Sequence, residues 1–299
     1  MVTYFSMFSG IGGFENGIEK AFNNKYESEV QQDEQRRNGD IDERASSVCS
    51  PNESPLCVGY SEIDKYATAV YQYNYRGHKN YGDATKINPD DLPDFDLLVG
   101  GFPCQAFSIA GKRAGFSDTR GTLFYEIARI AQCKRPRYMV LENVKGLLNH
   151  DKGKTFTTIL QTLWELGYEY QCGLVNSRYF GVPQNRERII IVCNLRGERR
   201  PEVFPLEGKA GELIQQIAST MAKVSTTEVW FNGFSIRRLT PTECERLQGF
   251  TDDWTKFDKN GKQISDTQRY KMCGNAVTTN VIEAIMTKLF DGIEKKVTK

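Results

Sequence analysis

The chain has 299 residues, 39% of them hydrophobic and 26% charged, a globular composition long enough for one large domain or a large and a small one, which excludes wholesale disorder and fibrous structure. Lys and Arg total 39 against 38 Asp and Glu, a net charge of +1, so any nucleic-acid contact has to come from local clusters rather than a global basic field. Eight cysteines with no Cys-x-x-Cys pair, and only two histidines, give no metal-ligand spacing; with no secretory signal and no apolar run near the roughly 20 residues of a bilayer span, the expectation is a metal-free protein of a reducing cytoplasm.

From the amino terminus, Val2 to Phe8 alternates apolar with polar or small residues, and Ser9-Gly10-Ile11-Gly12-Gly13 breaks the pattern. Phe14, Ile18, Ala21 and Phe22 then recur at helical spacing, giving strand, tight turn and helix. Residues 23–55 are polar, and Glu27 to Ala45 carries seven acids against three arginines. That stretch buries little and reads as a flexible surface insertion.

A second strand, Cys57 to Ser61, ends at Glu62-Ile63-Asp64 before a helix through Tyr66, Ala69, Val70 and Tyr73. A third short unit ends at Gly82-Asp83-Ala84. Phe95 to Gly101, Arg137 to Leu141 and Arg188 to Cys193 are further apolar strands. Such strands alternating with helices imply parallel βαβ units covered on both faces. In that architecture the strand ends at Ser9-Gly10, Glu62, Asp83, Pro103-Cys104 and Glu142-Asn143 converge on one crevice. Beyond Cys193 the pattern weakens, with a helix near Gly211 to Met221 and a better one from Pro241 to Gln248. Thr240 and Glu243 supply a capping box for the latter, and Gly249 a stop. Val277 to Phe290 has helical spacing and is expected to pack back on the main domain.

Between strand and helix, a glycine-rich loop lets backbone approach a ligand while the helix start offers free amides. Glu62, at the next strand end, suits a ribose diol. Because the loop is Gly-x-Gly-Gly rather than the full dinucleotide fingerprint, a mononucleoside-type ligand such as S-adenosylmethionine is favoured over NAD. At Gly101-Phe102-Pro103-Cys104, a Pro-Cys step directly after a buried strand presents a thiol to the crevice, where helix amides or arginines favour the nucleophilic thiolate.

At Gly101-Phe102-Pro103-Cys104, Glu142-Asn143-Val144 and Gln184-Asn185-Arg186-Glu187-Arg188, the chain resembles the DNA (cytosine-5)-methyltransferases of restriction-modification type. Arg238-Leu239-Thr240-Pro241, Arg246-Leu247-Gln248-Gly249-Phe250 and Gly274-Asn275-Ala276-Val277 follow in the family's order. The resemblance implies a Rossmann-like α/β sheet with a second, smaller DNA-recognition domain, divided as 1–193 plus 270–299 and 194–269. It implies methyl transfer from S-adenosylmethionine to carbon 5 of a cytosine flipped out of duplex DNA. Catalysis falls to Cys104 as nucleophile, Glu142 as the acid at ring nitrogen 3, and Arg188 with Arg186 on the base carbonyl and nearby phosphate. Asn143 organises its turn rather than reacting.

Cofactor contacts fall by the same resemblance to Phe8, Gly10, Gly12 and Gly13, to Glu62 for the ribose, Ile63 and Asp83 for adenine, Phe102 and Pro103, and Asn275 and Val277 from the carboxyl-terminal segment. DNA contacts fall to Gln105, Ser108, Lys112, Arg113 and Arg120 in a loop from Gln105 to Gly121, and to Arg238. No metal is implied. Asn194 to Ile236, where the family keeps its recognition region, is short, so that region is minimal, partly removed or supplied by another chain. It keeps Arg196, Arg199, Arg200, Lys209, Trp230 and Phe231 for phosphate and groove contact. The expected protein is a monomer acting on double-stranded DNA in a bacterial or phage-infected cell, with a separate recognition subunit or a cognate endonuclease as possible partners. Two alternatives stand beside it: a transfer-RNA cytosine-5 methyltransferase, and a catalytically silent DNA-binding homologue.

Overall fold

The computed structural model describes residues 2–37, 54–103, 123–206, 228–231 and 235–294. Strands β1 (Thr3–Met7), β2 (Leu56–Ser61), β3 (Leu97–Gly101), β4 (Tyr138–Val144), β5 (Tyr168–Asn176) and β6 (Glu187–Leu195) form one six-stranded sheet in the order β2-β1-β3-β4-β6-β5. Side chains alternate across it as a pleated strand requires. Phe5, Met7, Leu98, Met139, Leu141, Ile189 and Ile191 face one core. Tyr4, Leu97, Val99, Tyr138, Val140, Ile190 and Val192 face the other. Helices α3 (Leu123–Lys134) and α4 (Lys154–Glu165) cover the first face with Phe124, Ile127, Ile159 and Leu163. On the second lie α1 (Gly13–Arg37) and the carboxyl-terminal helix α7 (Thr279–Glu294), meeting through Phe14, Ile18, Ile282 and Ile285. A Cβ added at Gly17 would sit 2.5 Å from that of Ile282, so a missing side chain sets how closely these helices approach.

Both faces are covered as expected, but the sheet is mixed rather than parallel. β2, β1, β3 and β4 run parallel, whereas β6 is antiparallel to both β4 and β5. The loop joining the paired residues Asn176 and Glu187 contains only a short 3₁₀ turn at Ser177–Tyr179, and a parallel return needs a longer crossover, usually helical. Sequence patterning missed β5 because it is an edge strand, half-buried with Leu174 exposed, and carries no continuous apolar run. The expected third unit is a single bridge, Tyr60 to Asn80, followed by a 3₁₀ turn at Ala84–Lys86. The polar stretch after Phe22 begins as helix, since α1 continues to Arg37; residues 38–53 lie outside the described ones.

Helix α2 (Lys65–Asn74) follows β2, and α5 (Pro241–Leu247) and α6 (Asp266–Asn275) precede α7. The capping box at α5 forms as read: Glu243 N–H donates to Thr240 Oγ1, and Thr240 N–H to Glu243 Oε2. Phe250, Ile264, Met272 and Ala276 join Ile11, Ala67 and Val70 in one cluster. Chain expected in the small domain is thereby built onto α2. The hairpin of β7 (Glu228–Phe231) and β8 (Ser235–Arg238) carries Arg238, whose side chain is outside the described structure, as is the helix expected near Gly211 to Met221.

Candidate active site

Because β1 through β4 are parallel, their carboxyl ends share one edge, and the chain crosses to the other side of β1 when it forms β3. That is the topological switch point at which open α/β sheets bind ligands. A cleft of about 510 Å³ lies there, lined by Phe8 and Gly10 after β1, Glu62 and Ile63 after β2, and Phe102 and Pro103 after β3. Glu142 and Asn143 line it from the end of β4, Arg186 and Arg188 from the start of β6, and Asn275 from the end of α6. Gly10, Glu62, Pro103, Glu142 and Asn143, read from the strand ends, therefore meet in one cleft, while Ser9 and Asp83 are not among its lining residues and Cys104 lies outside the described ones. Asp83 Oδ1 caps its own 3₁₀ turn, accepting from Thr85 N–H and Oγ1, and Lys86 lies 3.7 Å from Oδ2. The turn engages Oδ1 of the carboxylate expected on adenine.

The left-handed backbone at Phe8, Gly10 and Gly12 (φ of 55°, 56° and 87°) makes the first turn. At Gly12 the glycine is obligatory, since a Cβ would lie 2.5 Å from the Tyr75 ring. At Gly10 a Cβ would meet nothing within 4 Å, so that backbone borders open space. Gly13 packs against Val277 instead, its Cβ position 2.6 Å from Val277 Cγ2. The Glu62 carboxylate gathers three backbone amides: Gly10 N–H on Oε2 at 2.9 Å, and Ile63 and Asp64 N–H on Oε1 at 2.8 and 2.7 Å. Each carboxylate oxygen accepts twice, so Oε2 keeps capacity for a diol. Beside it the Ile63 side chain stands 74% exposed, an apolar surface without protein cover.

Across the cleft, Glu142 is 9% exposed and Arg188 Nε contacts its Oε1 at 2.8 Å. Burial pushes the Glu142 carboxyl above its ordinary value, and the charges of Arg188 and Arg186 pull back against that rise. A Cβ on Gly101 would sit 3.3 Å from Glu142 Oε2, so glycine at the end of β3 leaves room beside the second carboxyl oxygen. Asn143 donates from Nδ2 to the Phe102 carbonyl at 2.8 Å and accepts from Val144 N–H. It locks the Glu-Asn-Val turn to the Phe-Pro step, an organising role as read.

Arg186, expected on base and phosphate, lines the cleft and is engaged within the protein. Its Nη1 and Nη2 donate to the carbonyls of Gly274 and Ala276 at 3.1 and 2.7 Å, bracing the carboxyl-terminal wall of the cleft. Burial, and then the like charge of Arg188, lowers its pKa to about 10. Arg196 departs from expectation. It follows β6 at the sheet edge opposite the cleft, where its guanidinium lies 3.9 Å over the Trp164 ring and donates to the Trp164 carbonyl.

Cys104, Gln105, Ser108, Lys112, Arg113, Arg120 and Lys209 lie outside the described residues; the described chain reaches Pro103, on the rim of the cleft. Three residues in the structure went unnoticed in the sequence. Asn80 clamps the end of β2, donating to the Glu62 carbonyl and accepting from Gly82 N–H. Asp64 caps α2 through Tyr66 and Ala67 N–H and pairs with Lys271 of α6 at 2.8 Å. Burial alone would raise the Asp64 carboxyl, but Lys271 and the two amides outweigh it and hold it low. An Asp three residues before a buried Ala is a legible helix cap; nothing in the sequence pairs it with a lysine some 200 positions away.

The family model for C-5 cytosine-specific DNA methylases matches residues 51–226 and 208–291. Type II methyltransferase M1.ScrFI of Lactococcus lactis subsp. cremoris is 40% identical over 287 residues, covering 79% of this chain and 72% of that protein. Type II methyltransferase M.NlaX of Neisseria lactamica is 33% identical, covering 97% and 96%. Among solved structures, the S. pombe Dnmt2 methyltransferase superposes with a TM-score of 0.66 over 98% of this chain and 100% of its own, at 16% identity, a likeness of fold.

Proposed function

The chain belongs to the C-5 cytosine-specific DNA methylases, and from that premise we propose that it methylates through a covalent Cys104 adduct, with Glu142 as proton donor and S-adenosylmethionine as methyl source. Its activity is DNA cytosine-5 methylation. The observation that carries the mechanism is the placing of a buried, arginine-paired Glu142 beside Pro103 in the same cleft as the glycine loop and Glu62.

The residues on the cofactor side fit such a ligand. Open space over Gly10, the spare capacity of Glu62 Oε2 and the uncovered Ile63 side chain match a methionine end, a ribose diol and an apolar base in that order. When bound, S-adenosylmethionine supplies an electrophilic methyl group to carbon 5. Cys104 thiolate forms a bond to cytosine carbon 6, and the displaced π electrons make carbon 5 nucleophilic. Glu142, whose carboxyl burial pushes above its ordinary value, donates a proton to ring nitrogen 3 as negative charge develops there. Arg188 keeps Oε1 fixed so that the carboxyl presents Oε2, and stabilises the carboxylate left behind. Loss of the carbon 5 proton to water, return of the nitrogen 3 proton to Glu142 and elimination of the Cys104 thiolate restore the ring. The target atoms are inaccessible inside a duplex, so the cytosine is flipped into the cleft.

Duplex DNA carrying 5-fluorocytosine tests the mechanism, because fluorine blocks the last elimination. With S-adenosylmethionine present, a denaturation-resistant protein–DNA adduct is expected, absent from Cys104→Ser. Methyl transfer to ordinary DNA without any trapped adduct overturns the covalent role. We propose a bacterial setting on the strength of the relatives' sources; no helix among the described residues is long and apolar enough to cross a membrane.

A further inference from the structure

A line of buried polar side chains runs behind the arginines of the cleft and takes part in neither cofactor nor nucleophile binding. Ser177 follows β5, Gln184 opens the Gln-Asn-Arg loop, Gln248 follows α5, and Thr278 precedes α7. Ser177, Gln248 and Thr278 are 2%, 2% and 4% exposed. Ser177 Oγ and Thr278 Oγ1 are 2.8 Å apart, Thr278 Oγ1 donates to Gln248 Oε1 at 3.1 Å, and Gln248 Nε2 donates to Gln184 Oε1 at 2.8 Å. A hydroxyl has one hydrogen. Because that of Thr278 goes to Gln248, the Ser177 hydroxyl supplies the one between the two hydroxyls, at 2.8 Å in preference to its longer 3.4 Å alternative at the Arg186 carbonyl, and all three bonds point the same way. Chains of this kind strengthen cooperatively and specify one arrangement when every member is satisfied.

Both ends of the line close on the same loop. Gln184 is its first residue, while Ser177 receives the loop's other end, donating from its backbone N–H to the Arg186 carbonyl at 3.0 Å. Asn176 completes the grip by accepting from Arg186 N–H at 3.2 Å. Two residues beyond Arg186 comes Arg188, whose Nε meets Glu142. We infer that Thr278 and Gln248 are positioning residues for methyl transfer: the buried line from Ser177 through Thr278 and Gln248 to Gln184 fixes the Gln-Asn-Arg loop so that Arg188 reaches Glu142. The inference rests on the role proposed above for Glu142 and Arg188. It assigns function to residues from two blocks that flank the cofactor pocket yet touch neither reactant, and it ties the helix following the recognition segment to the acid of the active site.

Paired substitutions at Thr278 separate positioning from packing. Thr278→Val keeps the shape and deletes the hydroxyl; Thr278→Ser keeps the hydroxyl and deletes a buried methyl. Positioning predicts that the Val variant loses about tenfold or more in kcat for methyl transfer to duplex DNA, while the Ser variant stays within about threefold, even if its Tm is the lower of the two. Affinity for S-adenosylhomocysteine, read by calorimetry, stays within about twofold in both. Gln184→Ala, at the less buried end of the line, makes the same break with less risk to folding and is expected to match the Val variant. Native turnover in Thr278→Val and Gln184→Ala, equal losses in the Val and Ser variants, or a loss of cofactor affinity as large as the loss of kcat overturns the inference. A native chain that methylates DNA but responds to neither Glu142 nor Arg188 substitution overturns the site reading beneath it instead.

Discussion

Two buried acids, one on each side of β1, show how similar burial yields different chemistry. Glu15 sits at the start of α1 beneath the glycine loop, fully buried, with the Tyr71 hydroxyl donating to it at 3.0 Å. Burial pushes its pKa up to about 7, even against that hydrogen bond. Glu142 is buried to a similar degree and is also raised, but two arginines face it and it opens on a cleft. The first acid accepts from a tyrosine, meets no cation among the described residues, and its proton serves the fold. The second has guanidinium partners that stabilise its charged form, so it can give up a proton and survive the loss. An ionisable group becomes reactive through the charge next to it and the access before it; desolvation alone stores only a pH dependence.

That contrast breaks first at Glu142. Glu142→Gln keeps the shape and removes the proton, and turnover is expected to fall by about 10²- to 10⁴-fold, with S-adenosylhomocysteine affinity nearly unchanged. A fall smaller than tenfold in single-turnover methyl transfer removes the acid from the mechanism. Glu15→Gln sharpens the other side. The folded chain holds the Glu15 proton up to about pH 7 while the unfolded chain releases it in the ordinary carboxyl range. Its contribution is therefore fully present below that range and is lost as pH rises through about 7, by an amount on the order of 3 kcal/mol. Urea unfolding of variant and native chains between pH 4.5 and 8 is expected to show the variant gaining relative stability as pH rises and turnover holding; a pH-independent difference counts against it. Gly12→Ala is expected to have the smallest effect of the three. Its Cβ lands 2.5 Å from the Tyr75 ring at a φ of 87°, costing about 1–3 kcal/mol in urea unfolding, with weakened S-adenosylhomocysteine binding. Native stability in that variant shows that the turn repacks freely.

Reading the chain locally located most of one bank of the cleft and half of the other. Gly10 and Glu62 were visible because a glycine turn between strand and helix, and an acid at the next strand end, are short-range features. Glu142 was visible as the last residue of an apolar strand. The protein partners of Asp83 and Arg186 were not: Thr85 two positions on, and the carbonyls of Gly274 and Ala276 nearly 90 positions away. Nor was the direction of β6, since an apolar run buried on both faces reads the same either way.

Sequence alone determined the alternating elements, the family and the residue types that line the cleft, because hydrophobic period, turn chemistry and strand-end placement are properties of neighbours along the chain. Tertiary structure decided which charges meet. It gave Arg188 to Glu142, sent Arg186 to the carboxyl-terminal wall, and closed the line from Ser177 to Gln184 through Thr278 and Gln248. Those pairings depend on distances between segments far apart in the chain, and hydrogen bonds and ion pairs turn on fractions of an ångström that no pattern of residues encodes.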